Sequence, residues 1–303
     1  MDRICIFGYS GSGKTTLFKK LTGKEEEIFD PFKPNIGIGI FRDKRLEKIA
    51  EILKIKKVKF PEFEFWDLKG FPEGEGFPPE FFENLYQADL LLCVIKNFKE
   101  GLNPEEELSS LIMELTFHDI ERIERILEKR EKENIPEKTL KVLEKSLKSL
   151  KEEKLLKDLS EEEKKEISGF QLLTVKRILL FINGDKKRIE NLKLPFIYGD
   201  SENPDFEKLY RKIVETLSHI IFYTVKGDIA QGWIIEENLE ARKAAGKIHT
   251  DIEKGFIKAA VLKYKDFLEI GSFQKAKNMG ILKFLGPHSS LSDGDIVEFY
   301  FHH

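Results

Sequence analysis

Apolar and polar positions along the chain change period several times, and each change marks an element. A short apolar run, Ile4, Cys5, Ile6 and Phe7, predicts a buried strand, and the stretch after it predicts a helix ending near Gly23. Pro31 and Pro34 exclude regular helix over residues 29–35, so a loop is expected there. Residues 36–41 alternate Ile with Gly, a strand whose small residues permit close backbone approach. Leu46, Ile49, Ile52 and Leu53 recur at helical spacing, whereas Phe63 and Phe65 alternate with glutamates into Trp66 and Asp67, the period of a strand. Residues 71–82, rich in Gly, Pro and Phe, predict a mobile irregular segment. The continuous apolar run over 90–95 predicts a buried parallel strand, and residues 175–182 return to the sheet as another buried strand.

From Asn103 the pattern becomes Glu/Lys-rich helix. Ile120, Ile123 and Leu127 recur at three and four, and after Pro136 the pattern resumes at Leu140, Leu143, Leu147 and Leu150. This predicts an antiparallel coiled-coil hairpin inserted over 103–169. Ser160 with Glu163 is a capping-box signature for one further short helix, which Gly169 can end. A short strand over 194–198 and a helix over 205–218 close this first domain, 1–218. Residues 219–303 mix strands near 220–225, 233–235, 256–262 and 296–301 with a helix over 239–245, a small α+β module. The fold class is therefore α/β, a doubly wound sheet carrying a helical insertion, followed by an α+β domain.

Composition narrows the function. A chain of 303 residues is long enough for two or three domains, and a net charge of −3 excludes a globally basic nucleic-acid binder. With 35% of residues charged, local basic faces stay open. The two cysteines, Cys5 and Cys93, lie inside apolar runs and read as buried thiols of a reducing cytoplasm. No apolar stretch reaches the length of a membrane span, and the N-terminus runs directly into a strand, so neither a span nor a signal peptide is expected.

The candidate chemistry follows the first strand. Gly8, Tyr9, Ser10, Gly11, Ser12, Gly13, Lys14 and Thr15 form G-x-x-x-x-G-K-[ST] between a strand and a helix. In that context backbone N–H groups curl around a phosphate, Lys14 reaches the β/γ oxygens, and the Thr15 hydroxyl can ligate Mg²⁺. Thr16 joins them at the positive end of the helix. Asp67 and Gly70 form D-x-x-G at the end of a strand, a carboxylate for Mg²⁺ through water and an N–H for the γ-phosphate. Lys14, Asp67 and Gly70 are thus the candidate catalytic residues, and Thr15 and Asp67 the candidate metal ligands. On the base side stand Asn183, Gly184, Asp185 and Lys186. A guanine-reading Asn-Lys-x-Asp ends in a carboxylate that accepts from the base, whereas Lys186 has donors only, so guanine selectivity loses its usual basis. Asp185 substitutes only if the loop shifts by one residue. His249, beside Thr250 and Asp251, reads as structural.

Together these motifs resemble the YchF / Obg-like ATPase family. The resemblance rests on residues 8–21, Pro34-Asn35-Ile36-Gly37, 43–57, 67–76, Asp158-Leu159-Ser160-Glu161-Glu162-Glu163 and, above all, Ala244-Ala245-Gly246-Lys247-Ile248-His249-Thr250-Asp251-Ile252-Glu253-Lys254-Gly255-Phe256-Ile257. It covers essentially the whole chain. It implies a GTPase-like P-loop NTPase domain, a coiled-coil insertion and a C-terminal TGS domain of β-grasp fold. It also implies association with the ribosome and ATP in preference to GTP; apart from the resemblance, Mg²⁺ follows from the phosphate-binding residues, a cytoplasmic place from the cysteines, and a monomer is the default state. The chain departs from the family at five points, one being that a His-containing stretch expected after the 90–95 strand is missing. Pro31 stands where switch I has its threonine, the loop after Gly70 is shorter, Lys186 replaces a glutamate, and Tyr198-Gly199 replace the Ser-Ala that flanks the base. Phe71 follows Gly70, and a phenyl ring cannot orient water. Two functions are expected to compete: a slow NTPase switch at the ribosome, and a nucleotide-binding scaffold without hydrolysis. A GTP-specific regulator is a third.

Overall fold

The computed structural model describes residues 1–24, 33–98, 103–129, 134–184 and 192–302, so Pro31, Asp185 and Lys186 lie outside the described residues. The first elements are β1 (Arg3–Phe7), α1 (Lys14–Thr22), β2 (Asn35–Ile40), α2 (Lys44–Leu53), β3 (Lys57–Lys59), β4 (Glu62–Asp67), α3 (Pro79–Tyr86) and β5 (Leu90–Lys96). Then come α4 (Pro104–Glu128), α5 (Glu137–Lys151), α6 (Glu161–Glu166), β6 (Arg177–Asn183), β7 (Phe196–Gly199) and α7 (Phe206–Thr216). The last part holds β8 (His219–Lys226), β9 (Ile229–Glu236), α8 (Ala241–Gly246), α9 (Thr250–Lys254), β10 (Phe256–Lys263), α10 (Tyr264–Ile270), α11 (Phe273–Asn278), β11 (Lys283–Leu285) and β12 (Asp295–Phe301).

The first sheet runs β2-β4-β1-β5-β6-β7 among the described residues. β1 is parallel to β4 and β5, β5 to β6, and β6 to β7. Its central strands are buried on both faces, which is why Ile4 to Phe7 and Leu90 to Ile95 are uninterrupted apolar runs. Strand order reverses across β1, so the carboxyl ends of β1, β4 and β5 open into one crevice, the usual ligand position of a doubly wound sheet. The second sheet runs β11-β10-β12-β8-β9-β3. In it β8 and β9 are antiparallel, as are β10 with β11 and β12, while β3 joins β9 in parallel.

By its contacts the chain divides into Met1–Gly39 with Glu64–Asp205, and Ile40–Phe63 with Phe206–His303. This differs from a single boundary at 218/219. Residues 40–63 join the second unit because β3 adds to the edge of its sheet and because Asp43 is bonded to Arg211 and Tyr223.

Where the expected elements differ, the causes are local. The segment expected to be irregular to Phe82 is helical from Pro79; Pro suits a first helical turn, where the missing N–H has no partner to lose. Phe81, Phe82, Leu85 and Tyr86 then bury one face of α3. The inserted hairpin is divided between two cores. Leu111 and Leu115 of α4 pack in the core of the first sheet, whereas Ile123 packs with Val142, Leu143 and Leu150 of α5. An ion pair of Glu124 with Lys151 at 2.7 Å fixes that register. Both bonds of the Ser160/Glu163 capping box form, at 3.2 and 2.9 Å. His249 caps α9, its Nδ1 accepting from the Asp251 N–H at 3.2 Å, a structural role. Cys5 and Cys93 are buried and free, and burial pushes the Cys5 thiol up to about 12. Among the described residues no helix is long and apolar enough to cross a membrane.

Candidate functional site

The site is built where β1, β4 and β6 end. β1 stops at Phe7, and the loop from Gly8 to Gly13 carries the chain into α1, with Gly8, Gly11 and Gly13 all at positive φ. At Gly13 (φ 97°) a Cβ would collide with Asn183 Nδ2 and lie 2.7 Å from Ser201 Oγ, so only glycine lets the base-side residues approach the loop. Gly70 answers the same need from β4, since a Cβ there would meet Lys14 Nζ and lie 2.9 Å from the Ser10 nitrogen. Ser10 is tied to that segment twice: its N–H donates to Phe71 O and its hydroxyl to Gly70 O, each at 2.9 Å.

Lys14 is buried, and its Nζ donates to the Tyr9 carbonyl at 2.8 Å. Burial pulls its ammonium down to about 8, against the opposing pull of Asp67 and Glu107. Asp67 is fully buried at the end of β4, in register with Ile6, and accepts from the Thr15 hydroxyl at 2.8 Å. Among the described residues the Ser12 hydroxyl is buried without a hydrogen-bond partner, an orphan donor inside the loop. Tyr9 is buried with its ring stacked on Phe77 at 5.8 Å, and Thr16 is half-buried in the first turn of α1. Phe71 is edge-on to Phe77 and Phe81, so this position presents no polar group.

On the base side Asn183 ends β6. Its amide donates to Ser12 O at 2.8 Å and to Ser201 Oγ at 3.0 Å, and its Oδ1 accepts from the Ser201 N–H at 3.0 Å. Tyr198, expected at the base, lies in β7 opposite Ile182 with its ring edge-on to Phe196. The side chain from this part of the chain that reaches Asn183 is Ser201. Sequence reasoning missed it, and the only available signal was a small polar residue just beyond a strand. Glu107 was missed as well. It is buried in the first turn of α4, accepts from the Lys96 N–H at 3.0 Å, and burial pushes its carboxyl up to about 7.

The donor chemistry can be tested against Mg²⁺. Among the described residues no three of His, Cys, Asp or Glu gather around a point. What the site has is a hydroxyl and a carboxylate in contact, Thr15 and Asp67. Such a pair suits a hard cation that keeps most of its shell as water and phosphate oxygen, and does not suit Zn²⁺ or a cage-bound Ca²⁺. The orphan Ser12 hydroxyl, the loop N–H groups and the Lys14 ammonium suit an anion beside it.

Known proteins resemble the chain over its whole length. A family model described as a 50S ribosome-binding GTPase matches residues 3–135, and the YchF-GTPase C-terminal model, described as a protein of unknown function (DUF933), matches residues 219–302. The ribosome-binding ATPase YchF of Buchnera aphidicola subsp. Schizaphis graminum is 30% identical over 98% of each chain. This chain belongs to the YchF family. The YchF of Escherichia coli O157:H7, also named a ribosome-binding ATPase, is 28% identical over the same share. The YchF GTPase of Schizosaccharomyces pombe, 20% identical, has the same fold: the structures agree with a TM-score of 0.83 over 99% of this chain and 97% of that one. The P-loop domain and the YchF-type C-terminal domain thus stand in the family's order.

Proposed function

We propose that this chain is a slow ATP-hydrolysing switch that works as a monomer at the ribosome, in the cytoplasm. The observation that carries the reading is the convergence of Lys14, Thr15 and Asp67 beside the Gly8–Gly13 loop, at the crevice of a doubly wound sheet. The family's members named ribosome-binding ATPases support the nucleotide and the partner. In this reading the backbone N–H groups from Tyr9 to Thr16 cradle the phosphates, and Lys14 moves from the Tyr9 carbonyl to the β/γ oxygens. Thr15 and Asp67 would hold Mg²⁺. When bound, Mg²⁺ neutralises charge that develops on the phosphates. Gly70 offers its N–H to the terminal phosphate, and the Ser10 bonds to residues 70 and 71 carry the presence of that phosphate into the segment before α3. Asn183 holds the loop under the base, and the donor-only Lys186 leaves guanine without its carboxylate partner.

The short loop after Gly70, with Pro31 and Lys186, favours a second reading, a nucleotide-binding scaffold that does not hydrolyse. One experiment separates the two. Nucleotide-free protein is titrated with ATP and then GTP in Mg²⁺, and phosphate release is followed with and without ribosomes. ATP binding with release that ribosomes stimulate is the expected result, and Lys14→Ala weakens binding by about 100-fold or more. Binding without release under either condition establishes the scaffold. No binding at all removes the nucleotide site itself.

A further inference from the structure

Beside the phosphate-binding loop lies a cleft of about 580 Å³. Glu73 lines one side of it, and Glu105, Glu106, Ser109, Ser110 and Met113 of α4 line the other. Acidic residues in a first helical turn are ordinarily explained by the helix dipole, and that accounts for Glu105 and Glu106. It does not account for Glu73 across the cleft. Nor does it account for the apolar stripe that continues from the cleft along α4, where Met113 is 49% and Phe117, one turn further, 57% exposed. Behind the cleft wall the Tyr9 hydroxyl is buried against Ser110, so α4 at the cleft is in contact with the phosphate-binding loop.

We propose that this cleft docks a basic, apolar-flanked polypeptide segment of a partner, and that its shape follows the state of the phosphate-binding loop. Arginine or lysine side chains of the partner meet the carboxylates of Glu73, Glu105 and Glu106, and an apolar residue covers Met113 and Phe117. Charge decides the class of partner, because nucleic-acid phosphates brought to this face would meet three carboxylates. The coupling has a physical route. Ser10 bonds the backbone at 70 and 71, and Tyr9 stacks on Phe77, so the Glu73 wall is attached to the loop at both ends. Only this nucleotide dependence rests on the proposed switch; the docking site does not.

The test uses the full chain and three fluorescent probes: a peptide of arginines and leucines, the same peptide with glutamates for arginines, and an oligouridine. Anisotropy is read without nucleotide, with ADP, and with a non-hydrolysable ATP analogue. The arginine peptide alone should bind, and the pair Glu73→Lys with Glu106→Lys should weaken it about tenfold or more, with the effect fading at high salt. Phe117→Ser should weaken it several-fold, whereas reversal of the distant exposed Glu152 and Glu161 should leave it unchanged. If the reversed pair fails to fold, Glu73→Gln with Glu106→Gln gives the same reading. Equal affinity in the charge variants, or oligouridine that competes, overturns the docking site. Equal affinity in all nucleotide states overturns the coupling. Failure of the chain to bind ATP would remove the proposed function and leave the peptide result standing.

Discussion

Each compact unit contains a cluster of buried charge, and the two follow opposite rules. In the second unit Asp43 is fully buried, and both its oxygens are satisfied by the Arg45 N–H at 2.9 Å, Arg211 Nη2 at 2.6 Å and the Tyr223 hydroxyl. Arg45 forks onto Asp293 through its two Nη atoms, while its Nε is buried without a hydrogen bond among the described residues, and Asp293 also accepts from the Ile221 N–H at 2.9 Å, so the network is closed around Asp43. Burial and the neighbouring Asp43 push the Tyr223 phenol up, so it remains the donor. In the first unit Lys14, Asp67 and Glu107 gather around the phosphate-binding loop, but among the described residues the Ser12 hydroxyl and Glu107 Oε1 are buried without a hydrogen bond, the latter with only a 3.9 Å ion pair to Lys96 Nζ. A closed network has its function in the fold, because removing a member strands a charge. An open one is destabilising until something arrives to complete it.

Breaking the closed cluster should have the largest effect. Asp43→Ala leaves the buried Tyr223 hydroxyl and the Arg45 N–H without their acceptor, while half-buried Arg211 keeps Glu207, and should cost about 2–4 kcal/mol, read from urea unfolding of the full chain. Asp43→Asn, which keeps one acceptor, should cost less. A loss under about 1 kcal/mol for the alanine variant would show that the network is not the closure of the second unit.

The open cluster should respond with the opposite sign. Burial holds the Glu107 carboxyl at about 7 against an unfolded value of 4.5, so between these pH values the folded chain keeps a proton that the unfolded chain has released. Stability from this group is therefore present below pH 4.5 and lost as the pH rises through 7, by up to about 3 kcal/mol. Glu107→Gln removes that slope. It should match the natural chain near pH 4.5 and exceed it in stability at pH 8, checked by unfolding midpoints across the pH range. Parallel slopes for the two chains would mean that Glu107 is not the titrating group.

The same contrast explains what the sequence made legible. The phosphate side of the site could be read because G-x-x-x-x-G-K-[ST] fixes its geometry within eight residues, and D-x-x-G needed only a strand to place Asp67 beside Ile6. Glu107 could not be told from Glu105 and Glu106, since all three suit a helix start and only packing against the Lys96 N–H buries one of them. The Lys57–Lys59 strand carries a single apolar residue and exists because β9 offers an edge, which no local pattern records. With it went the assignment of residues 40–63 to the second unit. Ser201 was hidden by distance, because its partner Asn183 lies 18 residues earlier, at the end of β6.

Ser201 also supplies the smallest test of whether the base side belongs to the open cluster or is merely part of the fold. Ser201→Ala removes one neutral hydrogen bond to the Asn183 amide and leaves two others, to the Ser12 carbonyl and from the backbone N–H at 201. The cost should be about 1 kcal/mol in stability, and ATP affinity should fall by less than about tenfold. Asn183→Ala removes all three bonds and frees the loop at Ser12, so its effect on ATP affinity should be clearly larger than that of Ser201→Ala. The comparison is read from titrations of the two variants beside the natural chain. Equal losses would mean that Ser201 acts on the nucleotide itself and not only through Asn183. A stability loss with unchanged affinity in both variants would move Asn183 and Ser201 out of the site and into the closed, structural class that Asp43 exemplifies.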